Sequence, residues 1–202
     1  RTYGIRRFGF HGTSHSYVSE QTAVFLGRDL TELNTIVLHL GNGASAAAVR
    51  GGLAEDISLG MTTVSGMIMG TRPGDLDPGI IVHLMRSAKM DNDFRTVVDR
   101  MEAGDEAATL AYSVFIRSER KYIGAYLVTL GRVDAIAFTG GIGENSVRLR
   151  TDALADLEPL GITVDPERNR STDRVSRVIS TDDSRITVVV IPTNEELAIA
   201  VI

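Results

Sequence analysis

The stretch Thr35-Ile36-Val37-Leu38-His39-Leu40-Gly41-Asn42-Gly43-Ala44-Ser45-Ala46-Ala47-Ala48-Val49 decides how the rest of the chain is read. Residues 35–40 form an apolar run rich in β-branched side chains, bounded by Asn34 and by the glycines, and residues 44–49 form a second apolar run. Apolar runs of this length on either side of Asn-Gly predict a strand, a tight turn and a second strand. Residues 53–59 supply a third strand, so a sheet that begins antiparallel is expected.

Helices and further strands follow on both sides. Residues 14–26 place Val18, Ala23, Val24 and Leu26 among polar neighbours and predict a helix. Another helix is expected over 80–85, after Pro78-Gly79. The segment 106–130 has no proline, and Leu110, Val114, Ile123, Tyr126, Leu127 and Leu130 recur at spacings of three and four. It should be the main packing helix. Residues 134–139 read as a short buried strand running into Gly140-Gly141-Ile142-Gly143, with a helix from 145 to 157 ended by Pro159 and Gly161. Residues 186–191 form another strand, stopped by Pro192. Thr193-Asn194-Glu195-Glu196 has the form of a capping box that opens a last helix. Strands first and strand–helix alternation afterwards predict an α/β fold, with one mixed sheet covered by helices.

Composition narrows the function. The chain has 202 residues, 26 of them acidic and 21 basic, for a net charge of −5. No global basic field is available to grip a nucleic acid or an anionic membrane. With no cysteine, a disulfide framework, a thiolate metal site and a cysteine nucleophile are excluded. No run reaches the ~18 apolar residues of a membrane helix, and a cytoplasmic protein is expected. The chain opens on Arg1 and reads as part of a longer protein.

Twenty residues are glycine, and nine of them fall between Gly41 and Gly79, where backbone must turn sharply or approach a ligand closely. Four segments carry candidate chemistry. His39-Leu40-Gly41-Asn42-Gly43 reads either as a type I′ hairpin turn or as a loop whose open N–H groups cradle phosphate. Gly140-Gly141-Ile142-Gly143-Glu144-Asn145 leads from a strand to a helix start suited to an anion or nucleotide. The third glycine of a dinucleotide fingerprint is replaced by Ser146. In 70–79, Arg72 stands between glycine and Pro73, presenting a planar fork that matches phosphate. Asp75 and Asp77 would brace it or join a metal site, and a solvated surface arginine is the alternative. In 8–15, His11 lies between Phe10 and Gly12 ahead of a helix and reads either as a donor to developing negative charge or as a packed or capping residue. His15 and His83 are assigned to packing, and Glu195 by itself is a first-turn carboxylate. Two phosphate-sized glycine turns, a braced arginine, a histidine and a carboxylate are the parts that phosphoryl transfer uses.

Five strings occur in order: RRFGFHGTSH (6–15), HLGNGAS (39–45), MGTRPGDLDPG (69–79), FTGGIGEN (138–145) and PTNEE (192–196). Together they closely resemble the acetate kinase family over nearly the whole chain. The resemblance implies the ribonuclease H-like fold of the actin-like ATPase superfamily. Residues 1–202 would be the C-terminal nucleotide-binding domain of a two-domain kinase. The N-terminal domain, with its own phosphate loop, acetate-contacting arginine and catalytic aspartate, would be required for activity. The implied reaction is reversible, Mg²⁺-dependent, direct in-line transfer of the ATP γ-phosphate to acetate, giving acetyl phosphate and ADP.

Carried over by motif, His11 and Arg72 would stabilise the transferring group, with Phe10 and Pro73 near the acetate. His39, Leu40, Gly41, Asn42 and Gly43 would cradle ATP phosphates. Asp93, Phe94 and Arg95, with Gly141, Ile142, Gly143, Glu144 and Asn145, would enclose the adenosine. Glu195 would anchor Mg²⁺ through water. The family also implies a homodimer. One departure is that residues 89–93 make a shorter connection than is usual for the family. A propionate or butyrate kinase of the same family, or a nucleotide-binding module without catalysis, are the alternatives. A nuclease on this fold would need acidic residues at strand centres, and the strands at 35–40 and 135–139 have none.

Overall fold

The computed structural model describes residues 9–75 and 94–193. The helices expected over 80–85 and after Thr193 lie outside them. Among the described residues, α1 (Gly12–Leu26) precedes the three strands β1 (Asn34–Leu40), β2 (Ala44–Arg50) and β3 (Leu53–Ile57). Then come α2 (Phe94–Glu102), α3 (Glu106–Leu130), β4 (Ala135–Thr139), α4 (Gly140–Asn145), α5 (Val147–Leu154), α6 (Pro166–Arg170), β5 (Arg177–Val178) and β6 (Thr187–Val190). The six strands form one sheet in the order β3-β2-β1-β4-β6-β5.

β1, β2 and β3 pair antiparallel, whereas β1–β4 and β4–β6 pair parallel. The expected mixed sheet with an antiparallel start is therefore present. All seven residues of β1 are buried, because helices cover both faces. On one face Ile36, Leu38 and Leu40 join a core with Phe115, Ile123 and Tyr126 of α3. On the other, Val37, Ala47, Ala137 and Val189 pack with Val18 of α1. Ala44, Ala46 and Ala48 on β2 are small enough to admit α3 closely, and the Tyr126 hydroxyl reaches the Ala46 carbonyl at 3.4 Å.

The β1–β2 turn is not the type I′ turn that Asn-Gly suggests. Leu40 pairs with Ala44, which leaves three connecting residues, and Gly41 N–H donates to the Gly43 carbonyl at 3.0 Å. None of Gly41, Asn42 and Gly43 has positive φ, whereas type I′ needs it at both central residues. That signature belongs instead to Gly51 (φ 55°) and Gly52 (φ 82°), between β2 and β3.

α3 spans the expected residues, and Asp105 caps it by accepting from Ala107 N (2.9 Å) and Ala108 N (3.1 Å), a contribution of about 1 kcal/mol. Its inward face differs from the expectation: Leu110 and Val114 are exposed, and the buried stripe includes Tyr112, Phe115, Ile116, Glu119, Ile123, Tyr126 and Leu130. The helix carries apolar residues on more than one face, and packing against the sheet chooses among them. The glycine segment differs too. The helix begins at Gly140 rather than at 145, breaks at Ser146 and resumes as α5, which ends at Leu154. The edge strand β5 is only two residues long, too short to carry a periodic signal.

Glu119 lies in the apolar α3 interface, fully buried, and among the described residues neither carboxylate oxygen has a hydrogen-bond partner. Burial pushes its pKa up to about 8. The folded chain thus holds a proton that the unfolded chain releases near 4.5. Stability from this group is full below pH ~4.5, falls as pH rises, and levels off above ~8. The expected result is a melting temperature lower at pH 8.5 than at pH 5, by an amount reflecting a few kcal/mol. Glu119→Gln should remove most of that slope. A pH-independent difference between the two proteins would show that Glu119 does not titrate this way.

Candidate active site

The parallel strands β1 and β4 end side by side, with His39 in register with Thr139. Open α/β sheets bind ligands outside the carboxyl ends of such strands. The 41–43 loop leaves β1 here, and α4 leaves β4. The two segments touch closely because Gly140 has no side chain: at φ 77° a Cβ would stand 2.7 Å from the Leu40 carbonyl oxygen. Gly143 likewise packs over Leu40 and Phe138.

A cleft of about 1130 Å³ opens at this edge. Gly41, Asn42, Arg72, Phe94, Arg95, Gly141, Ile142 and Asn145, all expected from the sequence, line it. A narrower apolar recess of about 130 Å³ adjoins it, walled by Phe94, Val97, Tyr112, Phe115 and Ile142. Phe94 is fixed there by Phe115, with ring centroids 5.1 Å apart, and by Tyr112 at 6.1 Å. A charged inlet leading to an apolar slot suits a ligand with an anionic end and a flat ring.

Arg72 is held by its loop, with Nη1 donating to the Thr63 carbonyl at 2.9 Å and Met69 N donating to the Arg72 carbonyl at 2.9 Å. Asp75 does not brace it. Its carboxylate instead accepts from Gly66 N (2.8 Å), the Tyr122 hydroxyl (2.6 Å) and Lys121 Nζ (3.2 Å), tying the loop to α3. Asp77 lies outside the described residues.

Gly43 marks where the pieces meet. A Cβ at this position would lie 2.9 Å from Arg72 Nη2 and 3.2 Å from both Cε1 and Nε2 of His11. The guanidinium, the imidazole and the β1–β2 loop therefore converge on one point. His11 itself has φ 59° and ψ 24°, left-handed backbone that only glycine adopts easily. It occupies the N-cap of α1 yet makes no side-chain cap bond, so the strained backbone aims its ring into the cluster.

The other histidines support that ring. His39 stacks on His11, centroids 4.2 Å apart and 27° between planes, and its Nδ1 lies 2.8 Å from Ser14 Oγ. Ser45 Oγ lies 2.8 Å from His11 Nδ1 and 2.7 Å from His15 Nε2. Burial, then the charge of His11, lowers the His39 pKa to about 4. Burial, then His39 and His11, lowers that of His15 to about 3. Both are neutral at physiological pH. His15 is thus a member of the cluster and not only a packed residue. The i, i+4 spacing of His11 and His15 on a helix start was the signal for it. Ser14 and Ser45 carried no such signal.

Of the remaining expected residues, His39 and Leu40 turn inward, Leu40 into the main core. Phe10 and Pro73 are exposed and do not line the cleft. Gly143 is buried, and Glu144 Oε1 accepts from Gly140 N (3.0 Å) and Thr193 N (2.9 Å), away from the cleft. Asp93 and Glu195 lie outside the described residues. Arg150, which sequence reading missed, is fully buried and donates to the carbonyls of Gly143 (2.8 Å) and Glu144 (2.9 Å) and to Asn169. It satisfies the last carbonyls of α4 and so fixes the wall of the cleft.

No three His, Asp or Glu side chains group as a metal cage among the described residues. Mg²⁺ with a nucleotide needs only one or two carboxylates besides water and phosphate oxygens, and Asp99 is an acidic residue on the cleft wall.

Comparison with known proteins gives concordant matches. The sequence profile of the Acetokinase family matches residues 1–93 and 87–201. An acetate kinase of Corynebacterium efficiens is 52% identical over 218 aligned positions, covering 98% of this chain and 55% of the relative. One of Streptomyces avermitilis is 50% identical, covering 97% and 53%. In structure, a Porphyromonas gingivalis acetate kinase superimposes with a TM-score of 0.92 at 41% identity, covering 99% of this chain and 55% of that one. A propionate kinase of Francisella tularensis gives 0.86 at 36% identity, covering 99% and 56%. The chain spans about half the length of the relatives it matches.

Proposed function

The chain belongs to the acetokinase family, with the actin-like ATPase fold of its structural neighbours, and from that premise we propose that it is the nucleotide-binding C-terminal half of an acetate kinase. The observation that carries this reading is the convergence of Arg72, which lines the cleft, with His11 on the side-chain-free Gly43. The adenine ring enters the Phe94 recess, the triphosphate runs past Gly141, Asn42 and Gly41, and the γ-phosphoryl group arrives beside Gly43.

The acceptor is the carboxylate of acetate. Its pKa lies about 3 units below neutrality, so the nucleophile is ionised before it binds and no general base is needed. What remains is alignment and charge stabilisation in a loose transition state whose charge spreads over three equatorial oxygens. Arg72, pinned through Nη1, presents Nη2 to those oxygens, and His11 adds a second donor from another side. Glu195 would anchor Mg²⁺ together with the nucleotide phosphates, and the ion would add charge neutralisation when bound. Gly43 leaves room for the phosphoryl group, and Arg150 holds α4 against the nucleotide.

Turnover requires an N-terminal half, which brings the acetate pocket beside Phe10 and Pro73, and the working protein is a homodimer in the cytoplasm. Acyl selectivity resides in that pocket, which agrees with an acetate and a propionate kinase both superimposing closely on this half.

The reading is tested by nucleotide binding. A Cβ at Gly141 meets nothing within 4 Å, so Gly141→Leu should leave the melting temperature unchanged while a side chain enters the cleft. The 202-residue chain is expected to bind ATP and ADP by titration calorimetry, and Gly141→Leu to weaken both by about tenfold or more, roughly 1.4 kcal/mol. Equal affinity in the two proteins would place the nucleotide elsewhere.

A further inference from the structure

The chain holds a single Asn-Gly pair, Asn42-Gly43, and it stands in the cleft wall with Asn42 exposed. A glycine after asparagine leaves the next main-chain nitrogen unshielded by a Cβ, and that nitrogen can attack the asparagine side chain. Whether it does depends on how firmly the side-chain amide and the following N–H are held, and two other asparagines show the contrast. Asn145 lines the same cleft and also precedes a small residue, Ser146. Its Nδ2 donates to the Gly141 carbonyl at 2.8 Å, and the Ser146 N–H donates to the Ile142 carbonyl at 2.9 Å, so both reacting groups are fixed. Asn34 is buried, its Nδ2 donates to the Arg132 carbonyl at 3.0 Å, and β-branched Thr35 follows it inside β1. Among the described residues, neither the Asn42 side chain nor the Gly43 N–H makes a hydrogen bond. The Asn42 amide is free to turn toward a nitrogen that nothing ties down. The Arg72 guanidinium beside Gly43 favours the negative charge which that nitrogen takes on when it gives up its proton.

We propose that Asn42-Gly43 is a self-modifying site: the asparagine deamidates spontaneously, and the carboxylate it becomes stands in the nucleotide path and weakens binding. The Gly43 nitrogen loses its proton to solvent and forms a bond to Asn42 Cγ, while the Cγ–Nδ2 bond breaks and ammonia leaves with a solvent proton. The five-membered ring that results is a succinimide. Water then opens it, at Cγ to give aspartate or at the main-chain carbonyl carbon to give isoaspartate, and nothing is oxidised or reduced. Either product exchanges a neutral amide for a negative charge, which repels a polyphosphate. Isoaspartate also lengthens the main chain ahead of Gly43 and so moves the loop relative to Arg72 and His11.

The loss of affinity rests on the proposed kinase reading, but the modification does not. The experiment is peptide mapping by mass spectrometry of the 202-residue chain aged in warm, mildly alkaline buffer, with and without saturating ADP. Trypsin releases residues 29–50 as one peptide that carries both Asn34 and Asn42, so the two are compared within a single fragment. Asn42 is expected to convert about tenfold or more faster than Asn34 or Asn145, with isoaspartate among the products, and ADP should slow it. Asn42→Asp, which reproduces one of the two products, is expected to bind ADP about tenfold or more weakly than wild type by titration calorimetry, with an unchanged melting temperature. Conversion at Asn42 no faster than at Asn34 and Asn145 overturns the site. Equal ADP affinity of Asn42→Asp and wild type, or conversion unslowed by bound ADP, overturns its consequence. Rapid conversion in a chain that binds no ADP would uphold the modification and overturn the kinase reading instead.

Discussion

Arg72→Ala in the full-length protein is expected to lower kcat for acetyl phosphate formation by about 10²–10³, as is usual when one transition-state donor is removed. The guanidinium is held through Nη1 on the Thr63 carbonyl, and its loop is closed by the Met69–Arg72 backbone bond. Its orientation thus costs nothing to organise at the moment of reaction, and preorganised charge is where such sites draw most of their rate. The loss should fall on kcat and kcat/KM alike, because the charge it meets is greatest in the transition state. Arg72→Lys should recover only part, since an ammonium lacks the planar fork and cannot bond Thr63 and an oxyanion together. Hydroxamate trapping of acetyl phosphate measures both variants. A raised KM with intact kcat would reduce Arg72 to a ground-state binding residue, and no change would remove it from the site.

Gly43→Ala should lose at least as much activity, about 10² or more, with a melting temperature within about 2 °C of wild type. Gly43 does not have positive φ, so the backbone accepts alanine without strain. The new methyl group would stand 2.9 Å from Arg72 Nη2 and 3.2 Å from the His11 ring. The far end of an arginine is flexible and moves aside, so the fold survives while the donor leaves its place. A geometry error of 1 Å is costly in a site that works by alignment. A large fall in stability would mean that Gly43 serves the hairpin, and full activity would mean that no phosphoryl group passes there.

The secondary structure is largely legible in the sequence because its signals are local. Asp105 and Gly131 bound α3, and the β-branched run of β1 is unmistakable. The inward stripe of α3 departs from the expectation at Leu110 and Val114, because a helix with several apolar faces does not say which one meets the sheet. The glycines mislead in opposite ways. Asn42-Gly43 has turn composition, but Gly43 is small to leave room for Arg72 and His11. The positive-φ pair that makes the I′ turn is Gly51-Gly52. In the site, Arg72, His11, Gly41 and Asn42 stand out through their unusual neighbours. Ser45 and Arg150 do not, since a serine in an alanine-rich strand and an arginine in a helix look ordinary until their surroundings are known.

The residues by themselves determined β1 to β4, β6, α1 and α3, the absence of thiol chemistry and the motif set that places the chain in its family, for these depend on neighbours a few positions apart, whereas α2, α6 and β5 were not legible. Only the tertiary structure decided that segments around 42, 72, 94 and 141 share one cleft, that His11 meets Arg72 at Gly43, and that His15 and Ser45 stand behind His11. The 41–43 loop and α4 are brought together by the parallel pairing of β1 with β4, α1 is set by its packing on the sheet and the Arg72 loop by its ties to Thr63 and to α3, and no local pattern encodes any of these.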